Sequence, residues 1–326
     1  MFFFRSKYYR CGSENLMAAQ GEQGHRFGGV WTELKLDAVH YYLGFFTRVL
    51  KKPFELWYID AFAGSGSRTE MVERGGLLEG TPIEMATAQL AGSVMRALSV
   101  EPPFNRHIFI EGNTARFREL EAIRDETPDK RIECRHGDAN NELCSIFTSQ
   151  PWSKQIAGKG YHRAVVFLDP YGMNVEWDTL QLLANTQAVD VWYLFPLQAV
   201  TRQLSGVLDK VDSYKQDRLD SIFGTPNWRD ELYKTQVFTD LFAETISTAT
   251  RNVTQQQIEA YSRKRLGTLF RYVSEPLPLI AEGRGHLFSL FCLSNSSSDK
   301  AIDLIKKGVR STLNKFGSAS RRKSGR

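Results

Sequence analysis

The chain has 326 residues, 42% of them apolar and 24% charged, and its 42 basic against 37 acidic residues leave a net charge of +5. This is the composition of an ordinary globular protein, long enough for one large α/β domain with an ample core, and it excludes a low-complexity or disulfide-scaffold chain. The mild basic excess permits a nucleic-acid partner without requiring one.

Residues 1–29 read as a poorly ordered leader, polar and glycine-rich after Met17. Met1-Phe2-Phe3-Phe4-Arg5 is too short an apolar run for a signal peptide, and no later run is long enough to cross a bilayer. Cys11, Cys134, Cys144 and Cys292 show no C-x-x-C spacing, so neither a disulfide framework nor a zinc site is expected. The expected compartment is a reducing cytoplasm, with no membrane.

From Thr32, a good N-cap, Leu34, Val39, Tyr42, Leu43, Phe46 and Leu50 recur at helical spacing until Pro53 stops them. The run from Leu56 to Asp60 reads as a strand that leads straight into a glycine-bearing loop. Thr81-Pro82, an N-cap followed by a first-turn proline, predicts a helix to about Leu98. Strands at 107–111, 131–137, 164–170 and 188–195 then alternate with helices at 114–126, 139–147 and 177–185. Continuous apolar strands separated by helices predict a parallel sheet covered on both faces. Residues 197–266 read as a helical insertion capping the sheet's edge. Residues 269–279 and 287–293 read as an antiparallel pair turning at Gly283-Arg284-Gly285, and 299–316 as a closing helix before a basic disordered tail, 317–326. The basic clusters Arg202 to Lys215, Arg263-Lys264-Arg265, Lys306-Lys307 and Arg321-Arg322-Lys323 read as solvated helix faces.

The strongest chemical signal is Asp60-Ala61-Phe62-Ala63-Gly64-Ser65-Gly66 directly after the first strand. Glycines there let the backbone turn sharply and approach a ligand with no Cβ in the way. Two further strands end in carboxylates: Glu111, placed to accept ribose hydroxyls, and Asp138, placed to accept an adenine amino group. Alone, each would be an N-cap for the helix that follows. Together, at consecutive strand ends, they favour an adenosine-bearing cofactor. After the next strand comes Phe167-Leu168-Asp169-Pro170-Tyr171-Gly172. Here Asp169 would accept from an amino group, Pro170 would fix the backbone, and Tyr171 would stack on a base. The plain alternative is a strand-ending turn capped by Asp169.

Trp31-Thr32-x-x-Lys35-Leu36, the glycine loop with its strand, Gly80-Thr81-Pro82, Phe167 to Gly172, and Phe223-Gly224 with Trp228 together resemble the three-Cys-motif partner proteins (TcmP), from about Trp31 to Phe316. More widely, the chain resembles class I S-adenosylmethionine-dependent methyltransferases. The resemblance implies a Rossmann-like α/β sheet of order 3-2-1-4-5-7-6 with strand seven antiparallel, and S-adenosylmethionine as cofactor. It also implies a three-Cys-motif protein, itself resembling radical-SAM proteins, as partner. Asp60, Phe62, Ala63, Gly64 and Gly66 would then wrap the cofactor's methionine and adenosine ends, Glu111 the ribose, Asp138 and Ala139 the adenine. Asp169, Pro170 and Tyr171 would face the acceptor, a nucleic acid or other macromolecule. Enzymes that methylate nucleic-acid amines carry Asp/Asn-Pro-Pro-Tyr/Phe; here one proline is missing and the aromatic comes a residue early. Cytosine C5 methylation would need a nucleophilic cysteine after a proline, and the chain has no such pair.

Two rival readings remain. One is a non-catalytic module of the same fold that partners the three-Cys protein. The other is a nicotinamide dehydrogenase, disfavoured because Thr69 stands where the fingerprint needs its third glycine. His107 and His136 read as packing residues, and no metal is expected.

Overall fold

The computed structural model describes residues 30–52, 54–65, 67–74, 84–149, 152, 162–239, 245–281, 283 and 285–322. The expected leader, Pro53, Gly66 and the Thr81-Pro82 pair lie outside them.

Helix α1 (Val30–Leu50) begins two residues before the expected cap. Thr32 therefore sits inside its first turn, and its buried hydroxyl meets no partner among the described residues. Strand β1 (Glu55–Asp60) follows as expected. Strands β2 (Ser67–Arg74) and β3 (Glu84–Ala91) then pair antiparallel, so that helix α2 is only Ser93–Leu98. The helix expected from Pro82 to Leu98 is corrected here: pairing along all of β3 overrides the local helix preference of its alanine-rich sequence.

The alternation that follows agrees with the sequence: β4 (Arg106–Glu111), α3 (Thr114–Glu126), β5 (Ile132–His136), α4 (Ala139–Ser149), β6 (His162–Leu168), α5 (Trp177–Asn185) and β7 (Val189–Phe195). The insertion carries α6 (Leu197–Gln203), α7 (Ser213–Phe223), α8 (Trp228–Leu232) and α9 (Gln255–Leu266), but it is not wholly helical. A hairpin of β8 (Tyr233–Thr239) and β9 (Thr245–Arg251) interrupts it. The expected antiparallel ending is present as β10 (Tyr272–Val273), β11 (Leu277–Ala281) and β12 (Gly285–Ser294). The last helix, α10, spans Asp299–Arg322, six residues further than the expected boundary of the tail.

The main sheet runs β5-β4-β1-β6-β7-β12, with β10 and β11 both on the outer side of β12. Strands β1, β4, β5, β6 and β7 are parallel, and β12 is antiparallel to β7. Taking β10 and β11 together as strand six, this is the order 3-2-1-4-5-7-6 with an antiparallel seventh strand. The strands' apolar residues alternate between two cores. Trp57, Ile59, Ile108, Val166 and Val191 pack toward α4, α5 and the insertion. Leu56, Tyr58, Phe109, Val165, Trp192 and Cys292 pack toward α1, α2 and α10. Both faces are thus covered, as a parallel sheet requires. Among the described residues no helix is long and apolar enough to cross a membrane.

The insertion is anchored by its own polar core. Trp228, fully buried, donates Nε1–H to Asp220 Oδ1 at 2.6 Å. Arg229 grips both oxygens of the same carboxylate at 2.7 and 3.2 Å. Gly224 ends α7 at φ +64°, so close to the Trp177 ring that a Cβ would overlap it. The insertion therefore packs onto the helix that follows β6, beside the sheet's carboxyl edge.

Candidate cofactor cradle

The carboxylates picked out in the sequence all stand at carboxyl ends of neighbouring strands. The loop after β1 is stitched between its neighbours: Ala61 N–H donates to Phe167 O at 3.1 Å, and Ala63 N–H to Ile110 O at 3.0 Å. Asp60 Oδ1 accepts from Phe62 N–H at 3.2 Å, which closes the turn that presents Phe62, Ala63 and Gly64. Gly64 has φ +65°, and a Cβ there would meet no atom of the described residues within 4 Å. Among the described residues nothing covers its backbone, which takes a conformation that other residues adopt at a cost.

Glu111 is nearly buried, and its Oε1 accepts from Asn113 N–H at 2.7 Å. Asn113, rather than Glu111, caps α3, accepting from Ala115 and Arg116 N–H. Oε2 of Glu111 meets no donor among the described residues. Asp138 does cap its helix: Oδ1 accepts from Asn140 N–H at 3.0 Å and Asn141 N–H at 3.1 Å. Its exposed side chain thus serves α4 through one oxygen, and the next residue, Ala139, is buried. The tips of β4 and β5 are tied by Gly137 N–H to Glu111 O at 3.3 Å.

At the tip of β6, Asp169 forms an ion pair with Lys35 of α1. Pro170 is buried, and Tyr171 is 62% exposed. The Tyr171 hydroxyl accepts from Arg116 Nη1 at 2.9 Å, and the guanidinium lies 5.2 Å from the ring centroid. This link runs from the loop after β6 to the helix after β4, spanning the tip of β1, which lies between those strands. Asn140 braces the same loop: Nδ2 donates to Asn174 O at 2.9 Å, and Oδ1 accepts from Thr179 Oγ1 at 2.8 Å. Arg218 of the insertion donates to Asn174 Oδ1 at 2.9 Å.

The electrostatics reflect this convergence. Burial pushes the Asp60 carboxyl up to about 7; a hydrogen bond from Ser93 opposes it, the charge of Asp169 adds to it, and Lys35 opposes it. Burial also raises the Tyr171 hydroxyl; Arg116 counteracts this, while Glu111, Asp169 and Asp60 push it further up. Three strand-tip carboxylates thus act on one phenol.

No protein-family model matches the chain, and no curated protein matches it in sequence. Among solved structures, protein LPL1258 of Legionella pneumophila is similar over 90% of this chain and 96% of its own, at 12% identity and a TM-score of 0.49. The N-terminal domain of EvdMO1, with S-adenosylhomocysteine bound, is similar over 81% of each chain, at 12% identity and a TM-score of 0.37. An S-adenosylmethionine-dependent methyltransferase of Clostridium acetobutylicum is similar over 81% of this chain and 92% of its own, at 10% identity and a TM-score of 0.32. The strand order, rather than these likenesses, carries the fold.

Of the residues named from the sequence, Asp60, Phe62, Ala63, Gly64, Glu111, Asp138 and Ala139 lie on the adjacent tips of β1, β4 and β5. Asp169, Pro170 and Tyr171 lie on the tip of β6; Gly66 is outside the described residues. Sequence reasoning missed Ser93, Arg116 and Asn140. A polar residue in the first turn after each strand-end loop is the signal they share, and it is a weak one.

Proposed function

We propose that this protein binds S-adenosylmethionine across the tips of β1, β4 and β5 and transfers its methyl group to a nucleic acid or another macromolecule. A three-Cys-motif protein is the proposed partner. What supports the reading most is the open backbone at Gly64, in a left-handed conformation, beside carboxylates on three consecutive strand tips. Ligands of such open sheets lie in the crevice outside those ends.

In this reading Asp60, Phe62, Ala63 and Gly64 hold the methionine end, with Gly66 completing the loop. Glu111 offers Oε2 to the ribose hydroxyls, and Asp138 with Ala139 receives the adenine. Held by these residues, S-adenosylmethionine would supply an electrophilic methyl group, the bonding electron pair remaining on sulfur. Asp169 accepts a hydrogen bond from the acceptor atom and orients its lone pair. Pro170 fixes the turn, and the exposed ring of Tyr171 offers a face to a planar acceptor. A base within a duplex would have to be extruded to reach that ring. The rate would come from holding acceptor, methyl and sulfur in line.

One observation favours a second reading, a non-catalytic partner module: Asp169 and Tyr171 are already engaged, by Lys35 and Arg116. A screen with methyl-labelled cofactor against RNA, DNA and the partner protein separates the two. Transfer that disappears in Asp169→Ala, with cofactor affinity intact, supports catalysis. Cofactor binding without transfer to any acceptor counts against it.

A further inference from the structure

Helix α1 carries Lys35 into the carboxyl edge of the sheet, where only 4% of the residue is exposed. Its ammonium pairs with Asp169 and lies 5.5 Å from the ring centroid of Trp31, one turn earlier. Trp31 is in turn stacked on Phe288 of β12 at 5.2 Å. Lysine is seldom buried this far without a carboxylate to pair with, because desolvating an ammonium alone costs several kcal/mol. Two carboxylates are close here, and the lysine bonds only one of them. Asp60 is fully buried and is instead served by neutral donors: Phe62 N–H, the Ser93 hydroxyl and, at 3.5 Å, the Tyr58 hydroxyl.

We propose that Lys35 is a positioning residue of this site, which holds Asp169 from the α1 side by a charge-assisted bond and turns its carboxylate toward the acceptor, while Asp60 is left to neutral donors. The proposal rests on the cofactor-site reading above. Two neighbouring carboxylates in a desolvated site resist ionising together, and a cation bonded to one of them breaks the symmetry. Among the described residues, the other charged or titratable groups acting at this edge are Tyr58 from β1, Glu111 from β4, Arg116 from α3 and Tyr171 after β6. Arg116, the one cation among them, bonds Tyr171, so among the described residues it is Lys35 that divides the two carboxylates. Held from the helix side, the Lys35 ammonium also fixes which oxygen of Asp169 turns toward the crevice.

The test compares the full chain with Lys35→Met, which keeps the apolar stem, and Lys35→Arg, which keeps the charge. Lys35→Gln replaces the methionine variant if that fails to fold. Carbon-13 NMR of aspartate carboxyls, with Asp60→Asn used for assignment, follows the Asp60 titration, which burial pushes up to about 7. Removing the ammonium is expected to move that titration up by about one pH unit or more, and Lys35→Arg to restore it. Calorimetry gives a second readout. At a pH above the Asp60 titration of every variant, loss of a nearby cation is expected to favour the sulfonium ligand S-adenosylmethionine over neutral S-adenosylhomocysteine by roughly tenfold in the ratio of Kd values. A folded neutral variant with the Asp60 titration unmoved overturns the proposal. Failure of the intact protein to bind either ligand overturns the cofactor reading instead, and the carboxyl titration still decides the role of Lys35.

Discussion

Replacing Gly64 with alanine tests the cradle directly, because its two consequences separate. At φ +65° an alanine pays about 1 kcal/mol of backbone strain, or roughly 2 °C in Tm for a chain of this size. The new methyl meets no atom of the described residues within 4 Å, so none of them adds a clash to that cost. It does occupy the space in which a ligand would approach the backbone. One lost backbone hydrogen bond together with a methyl overlap amounts to about 1.5–3 kcal/mol, a ten- to hundredfold weaker Kd. Gly283 supplies the control: it has φ +70°, and a Cβ there would also meet nothing among the described residues within 4 Å. It lies in the turn between β11 and β12, with β12, β7 and β6 intervening between β11 and β1. Both variants should melt alike, and calorimetry with S-adenosylhomocysteine should find weaker binding only in Gly64→Ala. Equal affinity in the two variants would refute the placement of the ligand at this loop.

Two further outcomes follow from buried carboxylates. Burial pushes Asp60 up to about 7 and Asp190, which accepts from Tyr42 at 2.8 Å, up to about 6. With folded values above the unfolded 3.8, their contribution to stability is fully present below about pH 4 and is lost as pH rises through 6 and 7. Urea melts from pH 5 to 8 should therefore lose part of this decline in Asp60→Asn; an unchanged slope would contradict the assignment. In the insertion, Asp220→Ala leaves the buried Trp228 N–H and the Arg229 fork without their acceptor, for a loss of about 1–3 kcal/mol in denaturant unfolding. A loss below about 0.5 kcal/mol would mean that water replaces the carboxylate.

The parts of the fold that were legible are those where one segment carries its own signal. The apolar run before Asp60, the alternation through Phe195 and the strand-end positions of Glu111, Asp138 and Asp169 could be read because strand, tip and helix follow one another in the chain. Residues 84–91 could not: Met85 to Ala91 has good helix formers, and only its pairing with Ser67–Arg74 makes it a strand. The β8–β9 hairpin did leave a trace, since Thr235, Val237, Thr245, Ile246 and Thr248 are β-branched residues that favour strands. The site's long-range bonds left none. Lys35 finds Asp169 across 134 positions, and Arg116 finds Tyr171 across 55. Residue type alone would expose both cations.

The basic clusters bear on what the acceptor is. Of Arg263, Lys264 and Arg265, read from the sequence as a solvated face, Lys264 is exposed as that reading expects, and all three also bond within the protein. Arg263 pairs with Glu275 at 2.7 Å, Lys264 with Glu231 at 2.7 Å, and Arg265 donates to Phe223 O at 3.0 Å while lying over the Trp177 ring. Charge spent on internal pairs is poorly placed to displace counterions from a phosphate backbone. Arg116 and Arg218 border the loop that carries the exposed Tyr171, and Tyr214, 69% exposed, stands one turn before Arg218 on α7. If the acceptor is a nucleic acid, Arg116→Ala and Arg218→Ala should each reduce the salt slope of binding by about 1. Lys264→Ala should leave the slope unchanged, because its ion pair holds α9 to α8 rather than facing a ligand. Fluorescence anisotropy over a salt series measures all three. A slope that falls with Lys264 but not with the two arginines would move the acceptor surface away from the cradle and onto the insertion's outer helix.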